Sequence, residues 1–366
     1  MKKSTSSIKA KLINLTLIGA FAFGFTANAQ DIHFSQFYEA PLDLNPALCG
    51  AFPGLIYGEL NYRSQWSSVA GGGYGFNTMA ATVEYHNLFK NWTKGYFSPG
   101  LNFYNDQSGD AKIGITQINL TLASGILLNE KNSLAVGLQG GWAQHSINTT
   151  SLQWDNQYVN GAYDANAASG EPGIGNSFSY IDFAAGVLYS YGTGQNTMTS
   201  NDQVKFNVGG AIFHISQPQM SYYNIPGAGT QLYMREVFHT QLQYGLPNSN
   251  IGLIPAFIFY KQGPAQEIDL GLKARYLLRQ ESKYTGNALG SALDLGAYYR
   301  FGDAAIILVQ LELGGYSLGV SYDVNVSSLT SASSGRGGFE ISLRIINPNP
   351  MMGTTSSGGS NTHSMF

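Results

Sequence analysis

Ala292-Leu293-Asp294-Leu295-Gly296-Ala297-Tyr298-Tyr299-Arg300-Phe301 opens the stretch from Ser291 to Ile345 whose reading decides the fold. Leu293, Leu295, Ala297, Tyr299 and Phe301 point one way, and Asp294, Gly296, Tyr298 and Arg300 the other. A period of two belongs to a strand with one apolar and one wet face. After a tight Gly302-Asp303 turn, Ile307, Val309, Leu311 and Leu313 share a face opposite Gln310 and Glu312. Gly314-Gly315 can supply positive φ at both central positions of a two-residue hairpin turn. Leu318, Val320, Tyr322 and Val324 form the next apolar face. Past a Ser/Gly-rich loop, Phe339, Ile341, Leu343 and Ile345 alternate with Glu340, Ser342 and Arg344. Consecutive antiparallel hairpins of about ten residues, each apolar on one side, predict a transmembrane β-barrel.

Composition agrees. Only 11% of the 366 residues are charged, against roughly 25% in soluble domains. The 23 Tyr, 20 Phe and 45 Gly suit a lipid-facing surface with aromatic girdles and tight turns better than a soluble enzyme. A net charge of −3 gives nothing to attract nucleic acid. Lys2, Lys3, Lys9 and Lys11 precede a mostly apolar run, Leu12 to Thr26, and Ala27-Asn28-Ala29 reads as a cleavage site. No later run approaches the ~20 apolar residues of a membrane helix. The expectation is therefore an exported protein of the outer membrane. Its parts are a signal peptide (1–29), an N-terminal periplasmic or lumen segment (30–54), a barrel (55–346) and a disordered tail (347–366). The single cysteine, Cys49, excludes an intrachain disulfide. Leu48 before it is too bulky for a lipidation site, so Cys49 reads as a small buried residue.

Candidate strands fall at Leu55–Arg63, Thr78–Tyr85, Tyr96–Asn105, Ile113–Leu127, Leu134–Trp142, Ser179–Ser190 and Val204–Ile215. They continue at Val237–Tyr244, Ile251–Lys261, Gln266–Leu277, Ala292–Phe301, Ala304–Leu313, Tyr316–Val324 and Gly337–Ile345. That gives about 14, an even number as bacterial barrels require. The change of phase between Ile115 and Ile118 predicts a bulge. With both chain ends periplasmic, loops after odd-numbered strands face outward and should be the longer ones. Ala143–Phe178, Ser216–Glu236, Ser64–Asn77 and Asn325–Arg336 obey this; Gly302-Asp303 and Leu278–Ser291 do not. Phe366 lies too far beyond the last strand to serve as a terminal assembly signal.

No catalytic, cofactor or metal constellation stands out, and an enzyme is not expected. The 6 His, at His33, His86, His145, His214, His239 and His363, form no ligand pair. Asp106 and Asp110 lack the spacing of a calcium loop and suit a polar hairpin turn. Three local patterns carry a resemblance. They are His33-Phe34-Ser35-Gln36-Phe37-Tyr38 with Pro41-Leu42-Asp43-Leu44-Asn45-Pro46-Ala47 and Gly50; Tyr62-Arg63-Ser64-Gln65-Trp66; and Gly319 to Leu329 continuing from Ser333 to Leu343. Together they resemble the PorP/SprF family, outer-membrane proteins of the type IX secretion system in Bacteroidetes, over about Gln30 to Ile345. The resemblance implies a transport accessory that works with other secretion components. It implies a partner too: a secreted adhesin or gliding-type surface protein, engaged through its C-terminal secretion domain. Gliding motility is linked to some members only.

Read physically, Trp66 suits an interfacial anchor as well as a partner contact, with Gln65 beside it where the first strand leaves the membrane. Arg63 is expected to pair with Glu59 on the same strand face. Asp323, Arg336 and Glu340 flank one hairpin and suit a mutual lumen network. Asn45-Pro46 suits a turn that packs the N-terminal segment in or under the lumen. Trp154, Tyr158, Tyr222 and Tyr223 lie in the two longest loops and suit protein contact, or mutual packing as a lid. The alternative is an outer-membrane channel for small or hydrophobic solutes, which requires a continuous lumen or a lateral opening.

Overall fold

The computed structural model describes residues 31–66, 75–89, 92, 94–109, 111–149, 152–171, 174–193, 203–223, 229–279 and 290–347. The expected signal peptide and tail, with His363 and Phe366, Asp110 and the 67–74 and 280–289 connections lie outside these residues.

The alternating segments form β1 (Ile56–Gln65), β2 (Phe76–Tyr85), β3 (Gly95–Ser108), β4 (Ile113–Leu127), β5 (Asn132–Ser146), β6 (Ser177–Thr193) and β7 (Val204–Phe213). They continue as β8 (Arg235–Gly245), β9 (Ile251–Gln262), β10 (Ala265–Arg279), β11 (Ser291–Arg300), β12 (Ala304–Leu313), β13 (Tyr316–Asn325) and β14 (Arg336–Asn347). Each pairs antiparallel with its successor, and β1 pairs with β14 from Ile56↔Asn347 to Gln65↔Gly338, closing a 14-strand barrel. Every strand expected from the sequence is present.

Facing follows chemistry. Leu295, Ala297 and Tyr299 of β11 are exposed on the outer wall, while Asp294, Tyr298 and Arg300 are buried inside. The face expected to be wet is packed. The reason is the N-terminal segment, Asp31 to Gly54, which fills the lumen. Its helical turns Phe37–Glu39, Pro41–Leu44 and Pro46–Leu48 bury Phe37, Leu42, Leu44, Ala47 and Leu48 against the wall.

Loop lengths alternate as expected: the 147–176, 214–234 and 326–335 connections share one end of the barrel with the short 301–303 turn. Gly302 takes φ +78° and Gly314 φ +63° in their turns. Gly315 does not; it is glycine because a Cβ there would overlap the Ile346 carbonyl. Two expectations are corrected. β4 pairs without interruption on both sides, and Ile115 is a lumen-side residue packed with Phe34, Ala40, Ala80 and Tyr104. Register shifts lie instead between β10 and β11, at Leu277/Arg279, and between β13 and β14, at Asp323/Val324, which pair with Gly338 and Arg336. Finally, the segment does not start at the short-turn end. Asp31 contacts His214, Arg235 and Gln262 at the long-loop end, and the chain descends to Leu55, whose N–H donates to the Asn347 carbonyl 3.0 Å away.

Candidate functional site

Two layers matter: the plugged lumen and the loops above it. The lower half of the plug sits by shape. Asn45 caps the Pro46–Leu48 turn by accepting from the Ala47 N–H at 2.8 Å. Its amide donates to the Val187 carbonyl at 3.0 Å and meets His239 Nε2 at 3.0 Å. Asn45-Pro46 is thus a turn, as read from the sequence, and also the bolt that fastens the turn to β6, β7 and β8. The wall is hollowed to receive it. A Cβ on Gly137 would overlap the Pro46 carbonyl, one on Gly186 would overlap Asn45, and one on Gly100 would lie 2.8 Å from Cys49 Sγ. Cys49 is fully buried against Leu42 and Ala123.

The upper half sits by charge. Arg300, 2% exposed, lies 3.2 Å from Asp323, 3.4 Å from each of Glu267, Asp269 and Asp303, and donates to Ser35 Oγ at 3.2 Å. Arg63 pairs with Asp323 at 3.0 Å and Glu340 at 3.9 Å, and donates to the His33 carbonyl. Glu59 is not its partner; Glu59 accepts from Tyr57 and Asn61. Four residues along a strand span about 13 Å, beyond ion-pair reach, whereas Glu340 sits directly across from Arg63. Asp323 and Glu340 join the lumen network, but Arg336 does not: the register shift beside it leaves its side chain exposed. Sequence reasoning missed Arg300, Glu267, Asp269, Ser35 and Gln36. Arg300 was visible as the lone cation on the inner face of its strand, but no spacing identified its partners.

At the rim, just past β7, His214 takes φ +56° and lies between Asp182 (2.7 Å) and Asp31. Burial opposes a charge on this imidazole, but the two carboxylates outweigh burial and raise it to about 9. Burial would likewise raise Asp31; His214 and then Arg235 overcome it and hold the carboxyl below its ordinary range. Both ring nitrogens face carboxylates, so neither is left to take a proton from a nucleophile; the arrangement is a latch. Its pH dependence follows. The Asp31 contribution is complete above 3.8 and is lost as pH falls below it. The His214 contribution is complete below 6.5 and is lost as pH rises through about 9. Once its intrinsic base catalysis is divided out, amide exchange at residues 31–36 is therefore expected to lose protection as pH rises through about 9, and His214→Gln to remove that pH-dependent step.

A cavity of about 20 Å³ beside the latch, lined by Asp31, His33, Arg235, Tyr260, Gln262 and Glu267, has room for roughly one water. His33 meets Glu267 at 3.4 Å. No group of three metal-ligating side chains occurs among the described residues.

Above the plug the two longest loops are tied together. Ile174 and Tyr223 form an antiparallel bridge, the Gly175 N–H donates to the Tyr222 carbonyl at 2.6 Å, and Tyr223 donates to Glu171 at 2.9 Å. Tyr222 packs edge-on to Phe178, which stacks on His145. Trp154 and Tyr158 lie elsewhere, around a Tyr158–Val159/Ala162–Tyr163 hairpin whose two tyrosine rings are 5.7 Å apart. Tyr158 and Tyr223 are exposed; Trp154 and Tyr222 are half-buried. Trp66 ends β1 edge-on to Phe76, beside a half-buried Gln65.

The sequence model of a family described as "Type IX secretion system membrane protein PorP/SprF" matches residues 26–345. No curated protein matches the chain. Among solved structures, similarity extends to the Pseudomonas putida toluene transporter TodX, at 8% identity over 86% of this chain and 93% of that one, with a TM-score of 0.42. BamA from Haemophilus ducreyi lacking POTRA domains 1–3 aligns at 11% identity over 80% of this chain and 70% of that one, TM-score 0.40. A Pseudomonas aeruginosa FadL homologue aligns at 11% identity over 82% and 92%, TM-score 0.41. The barrel assignment rests on the strand pairing itself, not on these resemblances.

Proposed function

Since the chain belongs to the PorP/SprF family of type IX secretion system membrane proteins, we propose that it holds or receives a secreted surface protein through that protein's C-terminal domain, using its outward loops. Family membership and the closed barrel make it an outer-membrane component of that system, with other secretion components as partners. The finer reading is carried by one observation: the lumen is occupied by the chain's own Asp31–Gly54, so the surface left for a client is the tied pair of loops above it. Exposed Tyr158 and Tyr223 supply rigid amphipathic contact area there. This reading requires no chemical step. A gliding or adhesin client fits the same surface, and lipid covers the apolar outer wall.

Affinity purification of the tagged protein from outer membranes in mild detergent tests this. A large exported protein with its C-terminal domain intact is expected to co-purify. Tyr158→Ala with Tyr223→Ala is expected to reduce its recovery roughly thirtyfold, as losing a contact worth about 2 kcal/mol would. Recovery of the barrel alone, in a preparation that keeps other complexes together, would defeat the proposal. Bilayer conductance would then test the solute-channel alternative.

A further inference from the structure

Thirteen of the fourteen strand pairs are joined by a connection in the chain; β1 and β14 are not. Their union rests on the pairing of Ile56–Gln65 with Gly338–Asn347 and the flanking Leu55–Asn347 and Trp66–Gly337 backbone bonds, with no chain connection, which makes it the joint at which the barrel would part. The lumen side of this joint presents three polar cross-strand pairs: Arg63/Glu340, Asn61/Ser342 and Glu59/Arg344. Residues His33 to Glu39 of the plug bind both sides of it.

On the β1 side, Arg63 donates to the His33 carbonyl, and the Asn61 amide donates to the Glu39 carbonyl at 2.8 Å. On the β14 side, the Ser35 and Gln36 N–H groups donate to the two Glu340 carboxylate oxygens at 2.7 and 2.9 Å. Ser342 donates to Gln36 Oε1 at 2.8 Å, and Arg344 pairs with Glu39 at 2.9 Å. The fit extends to β13, where a Cβ on Gly319 would overlap Gln36. Ser35, Gln36, Glu39, Asn61, Arg63, Glu340 and Ser342 are buried, so hydrogen bonds among them have no water to fall back on, and those to the Glu340 carboxylate are of the stronger, charge-assisted kind.

We infer that His33–Glu39 is a strap that locks the β1–β14 seam, standing in for the missing chain connection. The strap binds the two terminal strands at the same heights, so parting the seam by any distance breaks one set of its bonds. The barrel wall is thereby kept shut against separation of its end strands, a function distinct from filling the lumen and independent of any client.

The test uses the full chain in detergent or lipid, in a Cys49→Ala background so that only introduced thiols react. The readout is the rate at which the compact, heat-modifiable form is lost at fixed temperature. Glu340→Ala is expected to accelerate loss at least tenfold, the scale of losing charge-assisted hydrogen bonds. Gln36→Ala, which leaves the backbone bonds in place, is the milder variant should Glu340→Ala fail to assemble. Each is then combined with one of two disulfides on the lipid-facing wall. The first, Leu60→Cys with Leu343→Cys, crosses the seam. The second, Val309→Cys with Val320→Cys, joins β12 to β13, which a turn already connects. The seam disulfide is expected to restore the wild-type rate to within about twofold, and the other to leave the variants fast. Equal rescue by both, no rescue by the seam disulfide, or variants that unfold no faster than wild type would each overturn the inference.

Discussion

Replacing Gly137 with valine is expected to drive the N-terminal segment out of its seat and give a conducting pore where the wild-type barrel gives none. The position is on the lumen side of β5, and its missing Cβ is occupied by the plug's own main chain: the carbonyl of Pro46 and the N–H of Ala47. A flexible side chain could turn aside, but a peptide unit held by the Asn45 cap and the Val187 and His239 bonds cannot. Over-packing of this kind costs on the order of 3 kcal/mol or more. Dislodging the turn also unseats Leu42, Leu44, Ala47 and Leu48, all buried on it. Gly140, three residues along, gives the control. It faces the outer wall, and a Cβ there would meet Phe183 at 3.5 Å, an ordinary contact. Gly140→Val should therefore stay closed. Single-channel recording in planar bilayers decides it: steps from Gly137→Val with silence from Gly140→Val support the socket. A Gly137→Val barrel as closed and as heat-resistant as wild type refutes it.

Arg300→Met should cost about 3–5 kcal/mol of stability, the range for breaking a buried ion pair from one side. The guanidinium lies among four carboxylates, Glu267, Asp269, Asp303 and Asp323, and reaches Ser35 on the plug. Without it those groups face one another with Arg63 as the remaining cation in contact with Asp323. Methionine keeps the volume and cannot answer the charge. Arg336→Met removes the same group from an exposed position and should stay within about 0.5 kcal/mol of wild type. Urea unfolding of both variants in one lipid gives the comparison; similar midpoints would show that the Arg300 network contributes nothing.

The strands were legible because the wall of a barrel follows a simple rule on alternate residues. Leu295, Tyr299, Ile307 and Val320 could point only outward. The lumen follows no such rule, and there the reading faltered. Ile115 looked like a bulge because an inward apolar residue makes sense only once Phe34 and Tyr104 are known to meet it. The partner given to Arg63 came from a spacing that suits helices; across a sheet the near residues belong to other strands. Arg336 was misplaced by a one-residue register shift, which turns every side chain beyond it to the other face. The plug itself shows no period, since each of its residues answers a different patch of wall. Asn45-Pro46 was readable as a turn, but its fastening to Val187 and His239 depends on a closure that no local pattern encodes.

The route of the plug also has a consequence for how the polypeptide is laid across the bilayer. An even number of strands ordinarily returns both ends of a barrel to the same compartment. Here the descent from Asp31 to Leu55 adds one traverse to the 14 of the wall. The traverses are then odd in number, and Asp31 and Asn347 face opposite compartments. With the longer loops facing outward, as in outer-membrane barrels generally, an epitope inserted beside Asp31 is expected to be read from outside the cell, and one beside Asn347 only from within the periplasm.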